Sequence, residues 1–492
     1  MARFRGKRRK KAKEKMTGES PNASLAAMAP IIEQKGIFQS IHDPVMIPQK
    51  TIDYSPTDKL VLVVLSQLCG HETVSEVNWT LRVDEPLLLA FGYRKCPDQS
   101  GLQTTLNAAT AESVSQLSGV ANSLFSQHGL FFRHFQQLPS SELVTIDFDL
   151  TAQPCSKRAE GAKKGYFAKH KNSYGRQLAR ILVADTSEIV SDQLYAGNQV
   201  SCTAFKEMVY EMEQVLALSE TANRMRIRIR LDGGFGTDAN INFALSRGYS
   251  LLVKMYSGNR ARVLAKSVDK WVAAPTKHQR EKGENGTREA AFVTNPHRYC
   301  RKTSQVGIRT PNPKNKTGYS YRVIVTTDLQ ASLQTILDDY DGRAGVPESL
   351  FCQDNQGLAA RKRRKQRFFS QQMLMHLTQI AHNLILWIKQ WQIDAIDFAK
   401  RCDDWISNVM QKWNIEPVDT QKWVSETQEM LSQRGIKRFT HQLFALSGTL
   451  SFRHGKLHRI VLKGGYPMID RITLAVAALL DDTSVEIAFA QT

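Results

Sequence analysis

The sequence predicts an α/β protein: one mixed sheet with flanking helices, interrupted by a β-rich insertion and preceded by a helical N-terminal domain. Three observations carry that prediction. Residues 143–151 and 226–232 alternate apolar and polar side chains, the period of two that marks a half-buried strand. Helical stretches over 203–218 and 238–247 fall between successive strands, the order that builds a layered core of sheet and helix. The 492 residues, 42% of them hydrophobic, supply material for one or more cores and exclude wholesale disorder.

Residues 1–15 hold nine Lys or Arg against one Glu, a run of like charge that resists folding, so 1–20 is expected as a disordered basic arm. A helix starts where Ser55 caps, Pro56 takes the first helical position and Asp58 complements the positive end. Short helical stretches follow at 74–81 and 87–91. A further helix over 98–106 carries small polar side chains that either read base edges or only pack. Together these make 50–138 a helical domain expected to bind DNA.

In the strand 143–151, Val144, Ile146, Phe148 and Leu150 share one face, and Thr145, Asp147, Asp149 and Thr151 the other. Residues 178–184 suit a neighbouring strand. Ile227, Ile229 and Leu231 oppose Arg226, Arg228, Arg230 and Asp232, and 249–255 gives one more strand. The stretch 257–318, rich in Lys, Arg, Asn, Gly and Pro, looks like an insertion of short strands and loops, after which 319–327 resumes as a strand. Leu374, Leu377, Ala381, Leu384, Ile388 and Trp391 recur at helical spacing and predict one buried stripe. The expected core is therefore 141–256 with 319–395, followed by a helical and hairpin region, 396–492, with the hairpin at 450–457.

Charge narrows the partner. Lys and Arg number 66 against 47 Asp and Glu, a net of +19, of which +11 remains outside the arm. Such an excess suits a polyanion, either nucleic acid or an anionic membrane. Apolar runs such as 60–65 are far short of the roughly 20 residues a spanning helix needs, so no membrane partner is expected. The seven cysteines are scattered without a Cys-x-x-Cys pair, which argues against a disulfide framework and a zinc site and for a reducing cytosol.

Against this basic background, acids stand at the ends of predicted elements: Asp149 on the first strand, Asp232 before Gly233 and Gly234, and Glu348 after Pro347. Carboxylates brought together repel unless something positive intervenes. Mg2+ or Mn2+ supplies that charge and prefers hard oxygen ligands, and two such ions suit phosphodiester cleavage. Each acid also has a plainer role. Asp232 and its glycines suit a turn, Glu348 suits a first helical turn, and Asp147 lies about 7 Å from Asp149 on the same strand face and competes for its place.

Asp147-Phe148-Asp149-Leu150-Thr151 with Gly161 to Phe167, then Arg230-Leu231-Asp232-Gly233-Gly234-Phe235-Gly236 with Lys254 on the next strand, then Tyr340, Arg343 and Glu348, resemble in order the motifs of bacterial insertion-sequence DDE transposases. The branch is the one with a tyrosine–arginine–glutamate signature and a β-rich insertion between second and third acids. The resemblance spans roughly 50–395. It implies an RNase H-like core, with Asp149, Asp232 and Glu348 catalytic and holding two Mg2+ or Mn2+ ions, and Asp147 as the alternative or supporting acid. It implies DNA contacts by Tyr340 and Arg343, to which the basic residues Lys163, Lys164, Arg176, Arg361, Arg363 and Arg364 are added. The partners implied are double-stranded DNA, as terminal repeats and target of a mobile element, and a second copy of the chain in the DNA complex, in the bacterial cytoplasm at the nucleoid. This sequence departs from the signature in placing four residues between Arg343 and Glu348, and in having Asp354 and Asn355 where a lysine is usual.

Two rivals remain. Ile146 to Thr151 also fits the Asp-x-Asp-x-Thr motif of haloacid dehalogenase-type phosphatases, with Asp147 as nucleophile. A catalytically decayed, sequence-specific DNA-binding protein is the other. If the arm grips phosphates, deleting residues 1–15 weakens DNA binding and flattens its dependence on salt, measured as the slope of log affinity against log salt concentration.

Overall fold

The computed structural model describes residues 15–50, 53–165, 167, 173–284, 286–345, 347–399, 401, 403–413 and 419–490, with 15, 344, 345, 347, 348 and 403 by backbone alone. Residues 1–14 of the expected arm lie outside the described residues. The described strands are β1 (Lys15–Ser20), β2 (Val144–Pro154), β3 (Lys163–Lys164), β4 (Tyr174–Val183), β5 (Ile189–Ala196), β6 (Ile227–Leu231), β7 (Ser250–Lys254), β8 (Val272–Ala273), β9 (Glu289–Phe292), β10 (Ser304–Pro311), β11 (Tyr319–Thr326), β12 (Gly448–Arg453), β13 (Lys456–Leu462) and β14 (Glu486–Phe489). They fall in two units, residues 129–351 and residues 1–128 with 352–492.

The unit 129–351 is built on one mixed sheet in the order β3-β4-β2-β6-β7-β11-β10-β9-β8, with β5 also paired to β4. β2, β4 and β5 form an antiparallel meander, and β6 and β7 lie parallel to β2 on its other side. Parallel neighbours need a crossover, which the helices Ser201–Val215 and Asp238–Ser246 supply. Period-two patterning sorts the two faces. Val144, Ile146, Phe148, Ile227, Ile229, Leu231, Leu251 and Val253 are buried. Phe148 packs with Phe205 and Phe235 at ring separations of 5.7 and 6.5 Å. The opposite face carries the charged residues and the helix Leu333–Gly345.

The stretch 257–318 is an extension of the sheet rather than a module set into it. β10 pairs with β11, β9 with β10 and β8 with β9, so its strands prolong the sheet beyond β7. It also carries two helices, Gly258–Ala265 and Lys277–Glu281. Ala290, Val306 and Ile308 pack in one cluster with Leu252, Ile324, Ile336 and Leu337.

In the other unit, β1 pairs antiparallel with β12, within a sheet ordered β1-β12-β13-β14. This corrects the expected arm at its end. Residues 15–20 are a strand, because an unpaired edge of β12 offers backbone partners that the local charge pattern does not reveal. Ser55 caps the helix Pro56–Leu68 in a reciprocal capping box with Asp58, and Asp98 caps Gln99–Asn107. The helix Phe368–Ala399 is buried on every side from Ser370 to Ile388, not along one stripe. It packs on Pro56–Leu68, Ala111–His128 and Ile469–Leu480, and so groups with this unit rather than with the expected core at 319–395. A helix with neighbours all round buries polar side chains as well, here Gln371, His376 and Asn383.

Truncating Phe148 to Ala empties the ring cluster beneath the sheet. It should cost about 3–5 kcal/mol, read as a lowered melting temperature.

Candidate active site

The charged face of the sheet is a register of paired rows. Asp147 on β2 lies opposite Arg230 on β6, and Asp149 lies opposite Arg180 on β4. Asp149 and Asp232 each stand one residue past the last paired residues of β2 and β6, Phe148 and Leu231. Adjacent strands are separated by about 4.8 Å, so the two acids sit side by side. Asp232 turns the chain: its Oδ1 accepts from the Gly234 amide at 2.8 Å. A Cβ at Gly236 would lie 2.0 Å from the Lys254 carbonyl oxygen, so only glycine permits that approach.

Asp147 and Asp149 are neighbours on one face with opposite fates. Both oxygens of Asp147 are taken by Arg230, from Nε at 2.6 Å and Nη2 at 2.7 Å, and its side chain is 0% exposed. Burial raises its pKa, and the Arg230 fork opposes that rise. A carboxylate so enclosed has no path to a substrate, which removes the phosphatase nucleophile from consideration. Asp149 keeps 19% of its side chain exposed and accepts from Thr151 Oγ1 at 2.6 Å and Arg343 Nη2 at 2.8 Å.

Arg343 stands on the helix Leu333–Gly345 and also donates to the Phe148 carbonyl oxygen at 3.1 Å. Burial works against its charge, but Asp149 and Asp232 lift the guanidinium above its ordinary value. Its Nε is buried without a hydrogen-bond partner among the described residues. Tyr340, one turn earlier, is half-buried, and burial pushes its hydroxyl up to about 12, so at neutral pH it is a donor. Lys254 lies beside the turn, where a Cβ at Gly233 would approach its Nζ to 3.5 Å. Burial, with Arg322 adding to it, lowers the pKa of that ammonium, and Asp232 opposes the shift.

The remaining basic residues divide by burial. Lys163, Lys164, Arg361 and Arg364 are exposed. Arg176 and Arg363, expected on the DNA surface, are only 2% exposed. Arg176 donates to the Glu160 carbonyl oxygen at 2.7 Å, and Arg363 donates to Ser66 Oγ at 2.9 Å and to the His71 carbonyl oxygen at 2.5 Å. Arg176 ties β4 to the loop at Glu160, and Arg363 ties its own segment to the helix Pro56–Leu68 and the turn after it. Asp354, at the place of the signature's lysine, is buried and bound to His382 Nδ1 at 2.6 Å.

Glu348 lies in the helix Pro347–Gly357, and its side chain is outside the described residues. Among the described residues, no group of three or more His, Cys, Asp or Glu is arranged to hold a metal ion. Nor is any described helix long and apolar enough to cross a membrane.

Sequence reasoning missed the arginines that grip the helix Leu333–Gly345. Arg228 meets Asp339 at 2.6 Å, Arg280 meets Asp338 at 2.7 Å and Arg288 meets Asp341 at 2.7 Å. For Arg228 the signal was present: arginines alternating along a strand need anions opposite, and residues 338, 339 and 341 are all aspartate.

Two carboxylates thus stand side by side with a guanidinium on one of them, on a strongly basic chain. The chain belongs to the DDE transposases: the family described as Transposase DDE domain group 1 matches residues 7–402. Among solved structures it is similar to a chain of the piggyBac transposase synaptic complex with hairpin DNA, at 13% identity and a TM-score of 0.40, over 87% of this chain and 84% of that one. No curated protein matches it.

The two neighbouring aspartates separate by measurement. Asp147→Ala strands the buried Arg230 and should lower stability by about 3–5 kcal/mol, whereas Asp149→Asn leaves the denaturation midpoint nearly unchanged.

Proposed function

We propose that this chain is the transposase of a bacterial-type insertion sequence. It cuts phosphodiester bonds at the element ends and joins the freed 3′ ends to target DNA, with Asp149, Asp232 and Glu348 as its acids. The observation that carries the reading is Asp149 and Asp232 side by side with Arg343 on Asp149. The strand order supports an RNase H-like core: an antiparallel meander β2-β4-β5 with two parallel strands against its first. Support for Glu348 comes from its helix. On that helix the Phe351 ring lies 4.3 Å from the guanidinium of Arg180, a residue that stands opposite Asp149 in the register of β4 and β2.

The family's divalent ions, two of Mg2+ or Mn2+, would be held by the oxygens of Asp149, Asp232 and Glu348, a hard donor set that suits them. When bound, such ions neutralise charge on the phosphodiester and activate the attacking oxygen. The other residues hold the DNA. The planar fork of Arg343, part of which stays exposed beside Asp149, suits contact with phosphate oxygens. Tyr340, held protonated, donates a hydrogen bond to the same backbone. Lys163, Lys164, Arg361 and Arg364 are exposed and suit phosphates further along. Joining two element ends in one complex calls for two copies of the chain.

Purified protein, its own flanking DNA ends and Mg2+ or Mn2+ test the reading by the appearance of nicks at the ends. Asp232→Asn should abolish cleavage while DNA affinity stays within about threefold, because the acid acts on the reacting phosphate rather than on the bound duplex. Loss of both together would make Asp232 a structural residue.

A further inference from the structure

We infer that the extension 257–318 is a splint that sets the rotation of the helix Leu333–Gly345, and that the pair Arg288–Asp341 is its principal positioning contact. The inference rests on the transposase reading for its catalytic consequence and on contacts alone for the splint itself.

That helix is held from two sides. On the side of the central strands, Asp339 takes Arg228 at 2.6 Å, its carbonyl oxygen takes Arg230 Nη1 at 2.6 Å, and Arg343 reaches Asp149 at 2.8 Å. Positions 339 and 343 are one turn apart and share a face. On the outboard side, Asp338 and Asp341, three residues apart, share a second face, and both are gripped by arginines of the extension. Arg280 donates to Asp338 at 2.7 Å, and Arg288 Nη1 donates to both oxygens of Asp341 at 2.9 and 2.7 Å.

Arg288 is itself fixed. Its Nε donates to the Ala274 carbonyl oxygen at 2.6 Å, and its own carbonyl oxygen accepts from the Ala274 amide at 2.8 Å. Ala274 packs in the cluster with Ala290, Val306, Ile336 and Leu337, against which Tyr340 also rests. The apolar contacts seat the helix against the sheet, but such contacts carry little directional preference. Charged hydrogen bonds on two faces fix its angle about its own axis. Tyr340 and Arg343 stand on the turn bounded by these contacts, so a loosened outboard pair lets both swing away from Asp149 and Asp232.

The test compares the full-length protein with Arg288→Met, Asp341→Asn, their double variant and a control, Arg309→Met. Arg309 pairs with Glu289 inside the extension. Hydrogen exchange of residues 333–345 should quicken about tenfold in Arg288→Met and in Asp341→Asn, and no further in the double, since one interaction is removed each time. The control should leave exchange there unchanged. At saturating DNA the rate of end cleavage should fall about 100-fold in both single variants, with DNA affinity within about twofold. Unchanged exchange over 333–345, additive effects in the double, or an equal response to Arg309→Met would each overturn the splint. So would quickened exchange with an undiminished cleavage rate. Should Arg288→Met fail to fold, Asp341→Asn carries the same comparison from the other partner. If the unaltered protein cuts no DNA while exchange responds as described, the splint stands and the transposase reading fails.

Discussion

Everything on the working face of the sheet depends on keeping several charges out of water without leaving one unpaired. Removing an isolated charge from water costs several kcal/mol, and only close pairing with hydrogen bonds offsets it. The sheet meets this in rows. Arg180 forks onto Asp192 at 2.7 and 2.6 Å, Arg230 onto Asp147, and Arg228 reaches up to Asp339. The last of these pairs requires the helix above. The position of Arg343 over Asp149 thus follows from the electrostatics of the strands beneath as much as from the helix's own apolar side.

This arrangement separates structural from chemical acids. Asp147 is spent on Arg230 and exposes nothing, while Asp149 two residues on keeps part of its carboxylate open. One strand face thus carries a fixed anchor and an available ligand at a spacing of about 7 Å. The glycines after Asp232 fit the same scheme, since a side chain at Gly236 would collide with the backbone of β7 and push the second acid out of line with the first.

How much of this was legible depended on the range of the interaction that decides it. The capping box at Ser55 and Asp58 is written within four residues, and β2, β6 and β7 within their own alternation. The hairpin of β12 and β13 was equally local, its turn made by His454 and Gly455 at positive φ. The distinction between Asp147 and Asp149 was not, because it is made by Arg230, 83 residues away. Arg176 and Arg363 read as surface charge in a basic sequence, and burial among distant carbonyl oxygens makes them ties instead. The strands of 257–318 were visible singly, but their continuity with the central sheet rests on β11 pairing with β7 across some 70 residues.

The pairing of β1 with β12 joins residues more than 400 positions apart, and one compact unit is assembled from both flanks of the other. The unit 129–351 is contiguous along the chain, whereas its companion cannot close until residues well beyond 351 have been made. Until then the helix Pro56–Leu68, buried along almost its whole length in the finished protein, has no Phe368–Ala399 helix to pack against. Assembly of that unit is governed by contacts distant in sequence, the kind that form slowly and leave apolar surface open while they do.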